Sequence, residues 1–306
     1  MKLGLVSAIL EMYDFEKMID TVSKMGLQCV EVACWPVGKS ERRYAGVSHI
    51  DVDEVLQNDQ YCKHIMEYSA SKNIEISALA FYPNTMDGNI KKREVNIAHL
   101  KKVICASAKL GVGMVTTFIG RDQEKNIEEN LKLVKEIWPA IVELAENKKV
   151  KIAIENCPML FDSNQWPGGQ NLMTSPALWK QIFNILPSDY LGINYDPSHF
   201  VWQMMDYIEP LYTFKSKIFH VHYKDIKIYN ERLKEEGILA YPLKYMSPKI
   251  PGLGDVNWGK YVSALTDIGF NGCSCIEVED RAFEDNEERI LDSIRLSKHY
   301  LEQYVM

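Results

Sequence analysis

Short apolar runs alternate along this chain with longer stretches whose apolar residues recur every three to four positions. The short runs predict strands at Leu3–Val6, Cys29–Ala33, Ile74–Leu79, Met114–Phe118, Lys151–Glu155, Gly192–Asp196, Ile218–His222 and Cys273–Val278. The clearest helical stretch aligns Ile127, Leu131, Val134, Trp138, Ile141 and Ala145 on one face, and Pro139 is expected to kink it. Another opens near Asp14, carries Phe15, Met18, Ile19, Val22 and Met25, and stops at Gly26. Helices near 55–72, 90–110, 174–185, 203–216, 257–268 and 285–303 complete the set.

Eight strand–helix units with no linker between them predict an α/β fold, a (β/α)8 TIM barrel, rather than an open sheet. Residues 1–306 then form a single domain. Two connections, 34–53 and 226–249, are too long for minimal loops and are expected at the active-site face. The second carries Tyr229, Tyr241 and Tyr245 and reads as a lid or substrate contact, with an ordinary insertion or an oligomer contact as the alternatives. The pair Arg42–Arg43 in the first could meet an anionic group, though solvated surface arginines explain it better.

Strand parity locates the chemistry. Alternate residues of a barrel strand face the helices and the interior. Ile152 and Ile154, then Leu191, Ile193 and Tyr195, then Phe219 and Val221, then Ile276 and Val278 form the helix-facing set. The interior set holds Ala153 and Glu155, then Gly192, Asn194 and Asp196, then His220, His222 and Lys224, then Cys273, Cys275, Glu277 and Glu279. Glu155, Asp196, His222 and Glu277 thus fall at the C-terminal ends of four consecutive strands, where barrel active sites are built. Buried charges need partners or a metal. Three carboxylates and an imidazole form an oxygen-rich set suited to one divalent ion, Mn2+ first, with Mg2+ or Co2+ possible. Internal salt bridges with Lys151, Lys224 or an arginine are the competing explanation. Glu155 and Glu277 are the first candidates for an acid/base pair.

His199, three residues beyond Asp196, is a candidate base or substrate ligand, and Lys224 a candidate to polarise a substrate oxygen. Trp35, Tyr82 and Trp166 are placed on the same rim as aromatic faces for a sugar. His220 reads as a packed interior histidine, and Glu31 as either a buried hydrogen-bond partner or a substrate contact.

Composition narrows the classes. Hydrophobic residues make up 46% and charged residues 25% of the chain, which excludes a disordered or disulfide-stapled protein. A net charge of −7 disfavours nucleic acid as a partner. No apolar run reaches the ~18 residues of a membrane span, and the N-terminus reads as a first strand rather than a signal peptide. Seven scattered cysteines without a CxxC suit reduced thiols and a cytoplasmic location.

With these residues in place, the segments IENCP (Glu155), YDPSH (Asp196, His199), HVHYKD (His222, Lys224), PGLGDVNW and CIEVED (Glu277) resemble the xylose-isomerase-like superfamily of TIM barrels over nearly the whole chain. That resemblance implies a sugar isomerase or epimerase working through a metal-stabilised enediolate. It equally admits a lyase: a C-glycoside deglycosidase subunit cleaving 3-keto-glycosides by β-elimination, or an inosose dehydratase-like enzyme. Its ketose 3-epimerase branch implies Glu155, Asp196, His222 and Glu277 as ligands and the two glutamates as proton carriers. That branch has a Gly-Glu and an Arg after the metal histidine, where this chain has Tyr223, Lys224 and Asp225. The endonuclease branch needs histidines on strands three and four, where this chain reads ALAFYPN and TTFIGRD. A homo-oligomer or a small partner subunit is compatible with the resemblance, and a non-catalytic sugar-binding or assembly protein is the remote alternative.

Overall fold

The computed structural model describes residues 1–38, 46–160 and 166–305. Arg42 and Arg43 lie outside the described residues. Among the described residues ten strands follow one another: β1 (Lys2–Val6), β2 (Cys29–Ala33), β3 (Glu75–Ala80), β4 (Met114–Thr117), β5 (Lys151–Glu155), β6 (Leu191–Tyr195), β7 (Ile218–Tyr223), β8 (Asp225–Ile228), β9 (Met246–Lys249) and β10 (Cys273–Ile276). β1 to β7 and β10 close into a parallel barrel in chain order, with β10 returning to pair with β1. The eight expected strands are all present, and the fold is a TIM barrel with surrounding helices. No helix among the described residues is long and apolar enough to cross a membrane.

The parity argument holds in the packing. Ile152, Ile154, Leu191, Ile193, Tyr195, Val221 and Ile276 join the main core together with helix residues such as Trp179, Tyr261 and Ile294. Cys29, Cys273 and Cys275 form a separate small cluster with Val6 inside the barrel. Space there is scarce: a Cβ on Gly4 would sit 2.4 Å from both the carbonyl oxygen and Sγ of Cys29. The thiol fills the volume that Gly4 leaves free.

The helices depart from expectation where local chemistry competes with periodicity. The 127–145 pattern is two helices, Ile127–Ile137 and Pro139–Lys148, with Pro139 in the first turn of the second, where its missing N–H costs nothing. The 55–72 pattern is also two helices, Val52–Gln57 and Asp59–Ser71, because the Asn58 side chain caps the second by accepting from the N–H groups of Gln60 and Tyr61. The expected helix at 203–216 is replaced by short turns, Ser198–Val201 and Glu209–Thr213. Met204 adopts a left-handed conformation (φ 58°), and Asp206 Oδ1 accepts from the N–H groups of Ile208 and Glu209, which restarts the chain one turn before Pro210.

The long connection after β7 is an ordered excursion. β8 and β9 pair antiparallel, with a helix at Asn230–Glu236 between them. Asp225 fastens it to the barrel. Its Oδ1 accepts from the N–H groups of Ile226 (2.8 Å) and Val256 (3.1 Å), and its Oδ2 from the N–H of Gly252 (3.0 Å) and the indole of Trp258 (2.9 Å). A Cβ on Gly254 would meet Asp225 Oδ1 at 2.1 Å, so this turn needs glycine for close approach. Asp225→Ala strands four donors at once. It is expected to lower stability by about 3 kcal/mol, read by urea denaturation.

Candidate metal centre

Glu155 ends β5, Asp196 follows β6, His222 lies in β7 and Glu277 follows β10. Neighbouring parallel strands of a tilted barrel bring these four ends to one mouth. One ligand atom from each of the four lies within 4.8 Å of every other. His222 Nδ1 is 3.0 Å from Glu277 Oε2 and 3.8 Å from Glu155 Oε1. Lys224 Nζ stands among the same groups, 2.9 Å from Glu277, 3.1 Å from Asp196, 3.3 Å from Glu279 and 3.8 Å from Glu155.

Two observations fit this set to a divalent ion. First, Glu155 Oε1 and Asp196 Oδ2 are fully buried and lack a hydrogen bond. Buried acceptors are rarely left bare without a function. Second, Glu31 extends the acidic set, its Oε2 lying 2.7 Å from His222 Nε2. Four carboxylates, Glu155, Asp196, Glu277 and Glu279, surround the Lys224 ammonium, and Glu31 adds a fifth beside His222. A divalent cation would offset the cost of burying so much negative charge together.

The carboxylates are not equivalent. Burial pushes Glu155 up, but His199, His222 and Lys224 outweigh it and hold the carboxyl at about 2. Asp196 is likewise held below its ordinary value, burial being outweighed by Lys224 and His199. Glu277 is raised, by burial and by the charge of Glu155 against the pull of Lys224. Environments that drive two facing carboxyls apart suit opposite proton roles.

Behind the four ligand groups stands a hydrogen-bonded layer. Glu31 Oε2 accepts from His222 Nε2 at 2.7 Å, and His222 Nδ1 faces Glu155 and Glu277, where a bound ion would take its lone pair. This is the arrangement by which an outer carboxylate orients a metal-binding imidazole. Glu31 Oε1 accepts from the Tyr82 hydroxyl at 2.6 Å, and Asn194 Nδ2 donates to that hydroxyl at 3.1 Å. Asn156 clamps Asp196, donating to its carbonyl (2.9 Å) and accepting from its N–H (2.8 Å). His220 pairs with Asn194 Oδ1 and Ser77 Oγ, a satisfied interior histidine. Register shifts fall beside two members of this layer, between Val30 and Glu31 and between Ile193 and Asn194. Such irregularities re-aim side chains near active sites.

The other expected site residues are placed as follows. His199 Nε2 lies 3.2 Å from Asp196 Oδ2 and 3.6 Å from Glu155 Oε1. Tyr82 commits its hydroxyl to Glu31 and keeps its ring 6.5 Å from that of His222. Trp35 packs edge-on against Phe81 at 4.9 Å. Trp166 donates from Nε1 to the carbonyl of Leu239, bridging to the β8–β9 excursion, and its ring lies 6.2 Å from that of Trp202. Sequence reasoning passed over Asn156, Cys157 and Trp202. Cys157 lies within 4.8 Å of Glu155 and His199, and Trp202 donates to His199. The IENCP motif held the first two in plain view. Trp202 carried no signal beyond its hydrophobicity.

Residues 19–300 match the family model described as xylose isomerase-like TIM barrel. The chain belongs to that family. A curated relative, the uncharacterized protein YfiH of Bacillus subtilis (strain 168), is 26% identical over 335 aligned positions, covering 99% of this chain and 100% of that one. Among solved structures of this fold, the IolI protein with a bound zinc atom superposes with a TM-score of 0.73 at 20% identity, covering 100% of both chains. D-psicose 3-epimerase in the presence of D-fructose superposes with a TM-score of 0.70 at 14% identity, covering 100% of this chain and 99% of that one.

Glu31→Ala is expected to weaken Mn2+ binding by roughly 10–100-fold and Glu31→Gln by less, measured by titration calorimetry. Lys224→Met is expected to cost the metal-free protein about 3–5 kcal/mol by leaving buried carboxylates uncompensated. Thermal melts of that variant should recover when Mn2+ is added. A melt that Mn2+ does not move would favour a purely structural ion-pair network.

Proposed function

We propose that this chain is a divalent-metal-dependent enzyme that removes the proton next to the carbonyl of a sugar or keto-sugar and returns it as an isomerase or epimerase. The observation that carries this reading is the convergence of Glu155, Asp196, His222 and Glu277, with bare buried oxygens on the first two. Family membership and the zinc in the IolI structure support it. Mn2+ is the proposed ion, because the donors are three carboxylates and one imidazole.

When bound, the ion supplies a Lewis acid for the substrate oxygens. The chain does the rest. Glu155, held ionised, takes the proton from the carbon beside the carbonyl, and Glu277, raised by burial, holds the proton that is returned. Lys224 places its ammonium against the negative charge that develops on the enediolate. His199 faces the same point and binds a substrate oxygen. Trp35, Tyr82 and Trp166 are the proposed aromatic neighbours of the sugar.

A lyase on a keto-glycoside is the second reading, favoured by one observation. After His222 the chain carries Tyr223, Lys224 and Asp225, and the structure spends Asp225 on fastening the excursion. The Arg of a free-ketose epimerase has no counterpart at these positions. Expulsion of a β-substituent uses the same proton abstraction.

Incubation of the Mn2+-loaded protein in D2O with ketoses, inososes and 3-keto-glycosides decides between them. Deuterium incorporated without loss of a group marks isomerisation or epimerisation, and release of water or an aglycone marks elimination. Glu277→Gln is expected to lower the exchange rate by about 10²–10⁴-fold. No deuterium incorporation across the panel would count against both.

A further inference from the structure

Two imidazoles face the metal centre, and each is held from behind through its outer nitrogen. His222 Nε2 lies 2.7 Å from a Glu31 oxygen, which can only accept, and 2.9 Å from the Asn194 amide nitrogen. His199 meets the indole of Trp202, whose Nε1 lies 3.3 Å from His199 Nδ1 and can only donate. A ring nitrogen that accepts carries no proton. In the neutral ring the proton of His199 therefore sits on Nε2, the atom turned toward Asp196 Oδ2 and Glu155 Oε1. That nitrogen is buried and makes no hydrogen bond. Its nearest acceptors, Asp196 Oδ2 at 3.2 Å and Glu155 Oε1 at 3.6 Å, belong to the candidate metal ligands, and neither is aligned for a hydrogen bond.

We propose that Trp202 is a positioning residue that fixes His199 in the Nε2–H form, making His199 a hydrogen-bond donor to an oxygen in the site rather than a base or a metal ligand. The proposal rests on the reading above only for the identity of that oxygen, as a substrate carbonyl or hydroxyl. It also decides what the cluster of Glu155, Cys157 and His199 does. Their donor atoms lie within 4.8 Å of one another, close enough for a second ion. A nitrogen that keeps its proton does not ligate, so in the Nε2–H form His199 does not complete a second ion seat there. Trp202 is in turn held by the excursion, since it packs in a buried cluster with Ile226, Tyr245 and Met246. The Trp166 ring approaches it from the loop after β5.

The test uses the full chain loaded with Mg2+, a diamagnetic stand-in for Mn2+, and labelled with ¹⁵N-histidine. Long-range ¹H–¹⁵N correlation spectra report which ring nitrogen is protonated, and loss of one spin system in His199→Gln assigns the signal. The expected result is a protonated Nε2 and a bare Nδ1 at His199. Trp202→Phe keeps a large ring but loses the donor, and should populate the Nδ1–H form at His199 while leaving His222 unchanged. If a substrate is found, that variant should raise KM roughly tenfold, the loss of one aligned hydrogen bond, with a smaller effect on kcat. A wild-type spectrum with the proton on Nδ1, or on both nitrogens, overturns the proposal, and so does a Trp202→Phe spectrum identical to wild type. Two ions per chain by metal analysis would overturn it as well. An inactive protein with the expected tautomer would count against the catalytic reading and leave this one standing.

Discussion

Negative charge at a dry barrel mouth is the constraint around which this molecule is built. Four strand ends deliver Glu155, Asp196, His222 and Glu277 to one point, and Glu31 and Glu279 add to the acidity behind and beside them. Among the described residues the ammonium of Lys224 answers Glu155, Asp196, Glu277 and Glu279, and His222 meets Glu31. The main core is apolar and packs the barrel against its helices. The interior face of the same strands keeps its polar groups paired layer by layer, Cys275 and Ser77 against His220, then Asn194 against His220 and His222. At the mouth the pattern changes: Glu155 Oε1 and Asp196 Oδ2 make no hydrogen bond and lie in ion-pair contact with Lys224 and His199.

Much of this was readable from residue order. Period-2 alternation assigns each strand residue to one of two faces, so the inward position of the four ligand groups follows from where apolar neighbours sit. Pro139, read as a kink within one helix, instead opens a second helix, because a proline has one inexpensive place in a helix. The same reasoning could not see Glu31 as the partner of His222. The two are 191 residues apart and meet only because the barrel closes, across an irregular register that no local pattern announces.

Other features were hidden by competition between local and long-range forces. The stretch 203–216 has helical spacing, yet Asp206 and the left-handed Met204 turn the backbone elsewhere. Trp202, read as one more apolar residue ahead of that stretch, became the partner of His199. The hairpin of β8 and β9 contains Pro248 and few β-branched residues, so it looked like a loop. What makes it ordered is Asp225, one carboxylate that gathers donors from the turn ahead of the Trp258–Asp267 helix.

The cluster that joins Trp202 to Ile226, Tyr245 and Met246 gives the excursion a means of tuning the chemistry. Its residues reach the centre through an indole and an imidazole and leave the carboxylate cage where it stands. Under the proposed role of His199, variation in that outer segment would retune how strongly the site holds an oxygen atom while leaving Glu155, Asp196, His222 and Glu277 in place. The molecule separates the part that must be invariant in shape from the part that is free to change in strength.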